Sequence, residues 1–461
     1  MDYKESESSN YLLLQESRQY QLCNPERDRF SNPECDSEPY EAILDQFMQS
    51  GSIFIHDQNN LTNIRYAIKI FYNLTHHSKF QISLPVFKDF EFANSFFIAL
   101  QTQANNDKNY GEYCFEIISN IWSFCTDLSS PFTNESFAVI LIRNCNPQHM
   151  PDLFPFAMHA IANYCAISKD ARDILLSKNI FPILLTYIKR EQRIKNVISG
   201  LRLSVNLILP GTDQIYDSVK QLIPILRVHL QHINTEIRKL ASKCLILILR
   251  EDHISDCIYN NIHIKLFESI IHFNFQPVEL IQLANIFIDN GCDSEYITED
   301  FINFLAHTLE QMPEDHDSIQ EICTLLTTIM PKVMPLLLQT GIVSSLIKIA
   351  LNGSFKNTKH ATLLLIRLLP LLDAETQEQI SYEGAFEACL NLAGSGVVSS
   401  GKYSVLIYST ILNIIKLNEP RFIGLAVDQD FDSVLDSLEV EDEKCQEIIE
   451  LLKQKVNSQY E

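Results

Sequence analysis

Glycine and proline are scarce: 12 and 17 residues in a chain of 461. That is too little punctuation for a protein of many strands and tight turns. Positive charge is also in short supply, with 36 Lys and Arg against 58 Asp and Glu, a formal charge of −22. So acidic a surface repels phosphate backbones and anionic headgroups, so neither nucleic acid nor a membrane is an expected partner. The 12 cysteines form no C-x-x-C pair, and several, such as Cys114, Cys165 and Cys244, fall inside apolar helical stretches as small hydrophobes. Met1–Asn10 (MDYKESESSN) has no apolar signal core, and no apolar run reads as long enough to cross a membrane. A reducing cytoplasm or nucleus is therefore the expected setting, and the sequon at Asn73-Leu74-Thr75 has no meaning for glycosylation. Gly-x-Ser-x-Gly, His-Glu-x-x-His and dinucleotide fingerprints are all missing. No enzyme, cofactor or metal is expected.

What the chain does contain is apolar surface in quantity. Hydrophobic residues make up 46% and charged residues 20%, which permits a large core. Leu and Ile come in long runs flanked by polar residues, and this predicts helices throughout. These helices recur. A compact residue followed by apolar residues three, four and seven places later appears at Ala67, Cys114, Ala157, Gly200, Ala241, Leu280, Ile322, Ala361 and Ile407, at intervals of 47, 43, 43, 41, 39, 42, 39 and 46. A small anchor lets one helix approach its neighbours closely; the later anchors Leu280, Ile322 and Ile407 are larger and those repeats less regular.

A second series runs out of phase with the first. Asn179-Ile180, Asn261-Ile262, Gly341-Ile342 and Gly384-Ala385 each end one helix and open an apolar one. Gly and Asn tolerate the left-handed conformation that closes a helix. Two independent markers with one period predict a solenoid, in which each unit buries its apolar face only against its neighbours.

The period matches HEAT and armadillo units. TGIVSSLIKIALNG followed by KHATLLLIRLLPLL resembles the armadillo consensus, with Gly341 opening a second helix and Ala361 anchoring a third. Lys332–Gln339 reads as a short first helix, Ile342–Leu351 as the second and Thr358–Leu369 as the third. The resemblance, to importin-α and β-catenin among others, covers about residues 45–417. It implies an all-α, right-handed superhelical solenoid of about nine three-helix repeats. Residues 1–44 read as a polar, mobile segment, and 418–461 as acidic capping helices carrying Val434, Leu435 and Leu438, then Ile448, Ile449, Leu451 and Leu452.

In armadillo proteins the third helices line a concave groove, and the residue six places after the anchor points into it. Those positions here are Asn73, Asn120, Asn163, Asn206, Leu247, Ile286, Thr328, Arg367 and Asn413. A side-chain amide offers donors and an acceptor, so a ladder of Asn can grip an extended peptide through its backbone. Asn is also common near helix ends, so an inherited structural role is the other reading; Asn285 lies one residue from its slot. Two places after the anchor, where importin-α typically carries Trp, stand Lys69, Glu116, His159, Arg202, Lys243, Gln282, Thr324, Leu363 and Ser409. The single Trp122 lies elsewhere, and residues 1–40 hold only Lys4, Arg18, Arg27 and Arg29 against nine acidic residues. The third-helix segments carry a small positive excess, Lys69, Arg202, Lys243 and Arg367 among it, which points to acidic extended partners or to solvated faces with none.

The expected function is a non-catalytic adaptor or scaffold for extended peptides, with a divergent importin-α-like nuclear import adaptor as the first specific reading. It would act as a monomer or within a hetero-complex. A β-catenin-like scaffold for acidic partners and a structural subunit of a larger assembly are the alternatives. Three other patterns read as incidental. Gly396–Tyr403 has P-loop spacing without the strand or the hydroxyl. The pairs His229/His232 and His253/Cys257 have no second pair at zinc spacing. The acidic stretch Asp428–Glu450 reads as a solvated helix face.

Overall fold

Polar residues with short side chains mark where helices begin. Asn60, Asp89, Ser168, Asn234, Thr298 and Asp373 each accept a hydrogen bond from a backbone N–H of the first turn that follows. The computed structural model describes residues 27, 29–30, 32–57, 60–80, 85–144, 152–190, 193–209, 215–250, 253–273, 278–292, 296–314, 316–395, 403–436 and 442–457. Among these, every regular element is a helix or a helical turn. The described residues fall into two compact units, one ending at Ile262 and one starting at His263.

Nine helices carry the nine anchors. In the first unit they are Leu61–His76, Lys108–Phe124, Phe154–Cys165, Ile194–Ile208 and Thr235–Leu249. In the second they are Val278–Asp289, Ser318–Gln339, Phe355–Leu368 and Ser404–Leu417. Within each unit every anchor helix packs on the next in sequence, and Ser404–Leu417 packs on Glu443–Asn457. All nine anchors are buried. At Gly200 the approach is close: a Cβ there would lie 2.8 Å from Ile188 Cγ1 and 3.1 Å from Tyr187 Cδ1. The helix-closing series holds as well, with Asn179 (φ 59°), Asn261 (φ 56°), Gly341 (φ 74°) and Gly384 (φ 131°) all in the left-handed region.

Three features depart from the simple repeat. In the first three repeats the short first helix is reduced to a 3-10 turn, Pro33–Ser37, Pro85–Lys88 and Pro131–Thr133. Each opens on proline, which presets φ for a turn and withholds an N–H from a longer helix. In the second unit the third helix of one repeat and the first of the next fuse into Ser318–Gln339, through Pro331 and Pro335 on its exposed face. This helix is long and apolar enough to cross a membrane, contrary to the expectation from the sequence, where Glu321, the prolines and Lys332 interrupt the run. It stacks on Val278–Asp289 and Phe355–Leu368, and that packing accounts for its apolar composition. Third, the C-terminal helix Glu443–Asn457 buries Cys445, Ile449, Leu452 and Val456 at helical spacing and leaves Leu451 exposed, a correction to its expected core role. Leu435 is buried on the preceding helix, whereas Leu438 lies outside the described residues.

The first unit is built around phenylalanine. Phe47, Phe54, Phe71, Phe92, Phe96 and Phe132 form one cluster with ring centroids 4.9–6.5 Å apart. Trp122 is fully buried beside Tyr164 and donates its Nε1–H to the Phe132 carbonyl (2.9 Å), a core role rather than a ligand contact.

Candidate functional site: a groove that holds the chain's own segment

Three of the asparagine slots in the first unit, Asn120, Asn163 and Asn206, behave alike. Asn120 Nδ2 donates to the Thr75 carbonyl (3.2 Å), Asn163 Nδ2 to the Ser119 carbonyl (3.1 Å) and Asn206 Nδ2 to the Ala162 carbonyl (2.9 Å). Each amide reaches back to the anchor helix of the preceding repeat, and all three residues are buried. The structural role is thus realised: the ladder staples consecutive repeats.

Asn120 makes a further pair of contacts, with the chain's own backbone. The Phe30 N–H donates to Asn120 Oδ1 (2.9 Å), and Asn120 Nδ2 donates to the Phe30 carbonyl (3.1 Å). One side chain therefore takes both backbone polar groups of a residue 90 positions earlier. Farther along the same segment the Cys35 thiol lies 3.8 Å from Asn73 Oδ1. Residues 27, 29–30 and 32–37, expected from composition to belong to a mobile tail, are described, and Phe30 and Cys35 meet the ladder; residues 1–26, 28 and 31 lie outside the described residues.

The side chains of this segment reach the C-terminal ends of the anchor helices. Arg27 Nη1 donates to the Cys125 carbonyl (2.8 Å) and, at 3.5 Å, to that of Ser123; Nη2 donates to the Ala166 carbonyl (2.7 Å). Arg29 Nη2 donates to the carbonyls of Thr75 (2.8 Å) and His77, with its guanidinium over the rings of Phe124 and Phe80. The last carbonyls of a helix have no partner within it and carry the negative end of its dipole, so cations are favoured there. Burial lowers the pKa of both arginines, against an opposing pull from Asp36 at Arg29. The Phe30 ring lies 4.2 Å from that of His159 and 6.1 Å from that of Phe156. His159 in turn meets Ser199 Oγ (3.3 Å).

The other expected site residues are placed differently. Lys69 is exposed, and Arg202 pairs with Glu236 (3.4 Å). Lys243 is buried at 5% exposure, and Arg367 is half-buried. Asn413 is exposed. Asn285, one residue out of register, donates to Glu321 (3.1 Å to Oε2 and to its carbonyl), which Gln282 also meets. The positive excess is thus partly consumed within the fold. At the first three repeats the chain's own Arg27 and Arg29 lie against the anchor-helix ends.

No three His, Cys, Asp or Glu residues form a metal-binding group among the described residues. His229 is buried, which pushes its pKa down to about 4, and its ring lies 6.4 Å from that of His232. His253 stacks on Tyr216 (3.6 Å). The ten cysteines among the described residues are free and all but Cys292 are buried; burial raises the Cys35 thiol to about 11. Gly396–Lys402 lie outside the described residues, and Phe386–Gly394 before them is helical.

No family model and no curated protein sequence matches this chain. Solved structures do. An engineered protein superposes with a TM-score of 0.54 at 13% identity, over 88% of this chain and 99% of its own. A structure from work on a phosphorylation switch that controls the interaction between cadherin and β-catenin superposes with a TM-score of 0.52 at 13% identity. That match spans 78% of this chain and 66% of the other. The fold is an armadillo-like solenoid. At such identity the likeness concerns architecture alone.

Proposed function

We propose that this chain is a non-catalytic protein-binding scaffold whose first three repeats hold a polypeptide segment in extended form. The observation that carries the reading is the paired hydrogen bond between Asn120 and the backbone of Phe30. A clasp on N–H and C=O together accepts any residue in extended conformation, so it selects backbone geometry first. The guanidinium seats and the His159 face then add side-chain preference.

A nuclear-import adaptor of the importin-α kind, resident in cytoplasm and nucleus, is the narrower reading. It is favoured by the arginine-bearing segment in the groove and opposed by Glu116, His159 and Arg202 where importin-α typically carries Trp. Replacing Asn120, Asn163 and Asn206 together by Ala is expected to weaken a groove-bound peptide by more than tenfold, read by fluorescence anisotropy. Unchanged affinity in a chain that keeps its helical circular dichroism removes the groove as the binding surface and favours a structural subunit.

A further inference from the structure

Two of the left-handed turns, at Asn261 and Gly384, are preceded at the same distance by the same residue: Tyr259 and Tyr382. Each ends the short helical stretch that its turn closes, so the repeat brings an aromatic ring to one register twice. The two rings differ in what covers them.

Tyr382 is covered from within the chain. Arg421 lays its Cζ 3.4 Å from the ring centroid and donates to Glu378 Oε1 (3.4 Å). A planar guanidinium can rest flat on a ring face and still direct its N–H groups sideways; the compact, strongly hydrated ammonium of lysine cannot. Asn418 Nδ2 donates to the same carboxylate (2.8 Å), which fixes the seat. Rings under cations recur in this chain: Arg65 lies 5.1 Å over Tyr110 and Lys359 5.6 Å over Tyr403.

Tyr259 has no such cover. At 84% exposure it is the most exposed large hydrophobic side chain among the described residues, and none of them places a cation over it. The register explains the difference. Arg421 is the third residue of the helix that follows the ninth anchor helix; the third residue of the helix that follows the sixth is Phe301, after Glu299 and Asp300. The carboxylate one turn before the ring, Asp256, is held by Lys220 (2.7 Å) and the Tyr216 hydroxyl, so the ring itself is what remains. The turn is nonetheless fixed. The Asn261 N–H donates to the Ile258 carbonyl (2.8 Å), and Asn260 Nδ2 donates to the Asp256 carbonyl (2.8 Å). A ring presented on a fixed turn spares a partner the cost of ordering it. A formal charge of −22 favours the approach of a cation.

We propose that Tyr259 is an external docking point for an arginine side chain of a partner protein, which stacks on the ring as Arg421 does on Tyr382. The proposal concerns a different surface from the asparagine ladder and does not rest on the scaffold reading.

The test incorporates fluorotyrosine into the full chain and follows fluorine NMR, with the Tyr259 resonance assigned by Tyr259→Phe. The probes are N-acetyl-arginine N-methylamide and its citrulline and lysine counterparts. The Tyr259 resonance is expected to shift saturably, with an affinity for the arginine probe about threefold above that for citrulline or lysine, the size of an exposed cation–π contact. The Tyr382 resonance is expected to stay still in the unaltered chain and to respond like that of Tyr259 once Arg421→Ala empties its seat. Equal affinity for the arginine and citrulline probes, or for arginine and lysine, overturns the proposal. So does an equal response from Tyr66, which is 57% exposed but lies in an anchor helix. A Tyr382 that ignores the probe in an Arg421→Ala chain with unchanged melting removes the internal precedent and overturns it as well. Replacing Asn120, Asn163 and Asn206 together by Ala is expected to leave the Tyr259 titration unchanged, whatever becomes of peptide binding. A titration weakened by that change would assign the response to the groove and overturn the separate site.

Discussion

Residues 61–208 and residues 278–417 are built from the same unit and finish their helices in different ways. In the first stretch the terminal carbonyls of the anchor helices are met by side chains from elsewhere: Arg29 at Thr75 and His77, Arg27 at Cys125 and Ala166, Arg172 at Leu207. In the second, backbone does that work. Val278–Asp289 closes on Gly291 (φ 81°), with the Cys292 N–H donating to the Phe287 carbonyl (3.0 Å). Ser318–Gln339 ends at Gly341 in the same conformation, and Phe355–Leu368 tightens into a 3-10 turn. The slot residues change in parallel, from half-buried Asn73 and buried Asn120, Asn163 and Asn206 to half-buried Ile286 and Arg367 and exposed Thr328 and Asn413. Periodicity builds the scaffold along the whole chain. Long-range side-chain contacts are added where helix ends and amides are left for another part of the chain to complete.

The largest expected effect lies in the stretch that lacks the ladder. Leu280 is a bulky anchor at 0% exposure, so Leu280→Ala opens a cavity at a repeat junction and is expected to cost about 3 kcal/mol. Urea unfolding of the second unit, followed by hydrogen exchange of Val278–Asp289, measures it. A loss below about 1 kcal/mol would mean that junctions with large anchors collapse to fill the gap, and that anchor size does not distinguish the two stretches.

Asn120→Ala comes next. Here the volume lost is small and the polar groups matter: the Phe30 N–H, the Phe30 carbonyl and the Thr75 carbonyl lose an amide partner together. Thr75 keeps Arg29, and Phe30 can detach into water. The cost is therefore expected near 2 kcal/mol rather than the sum of three buried orphans. Thermal melting gives the loss, and hydrogen exchange at Phe30 is expected to rise at the same time. A melt altered without faster exchange at Phe30 would assign the whole of Asn120's contribution to stapling the repeats.

Much of this contrast was open to inspection in the sequence, and the part that was not has an identifiable cause. The anchors and the left-handed turns are read from local properties, side-chain volume at helical spacing and the freedom of Gly and Asn at positive φ, and each stands where expected. The partner of Asn120 is 90 residues away, and nothing in the spacing of the ladder says what it holds. A signal was present all the same. Arg27-x-Arg29-Phe30 is a basic-aromatic cluster between Pro25 and Pro33 in an otherwise acidic stretch, and prolines bias the residues before them toward extended backbone. Net charge hid it. The reduction of the first helices to 3-10 turns was likewise carried by Pro33, Pro85 and Pro131, visible once the turns are known.

The smallest expected effect is also the one of opposite sign. Asn413 occupies the same slot as Asn120, six places after its anchor, but it lies exposed within Ser404–Leu417. An asparagine in a helix interior competes with the helix by bonding to nearby backbone, and alanine does not. With no buried partner to orphan, Asn413→Ala is expected to stabilise the second unit by about 0.5 kcal/mol. The same substitution at the same register would then destabilise one stretch and stabilise the other, because a slot has energetic weight only where a backbone meets it. Thermal melting beside Asn120→Ala decides the point. A destabilisation above about 1 kcal/mol at Asn413 would show that the second stretch also holds its slot against a partner, and the division drawn from helix ends would have to be given up.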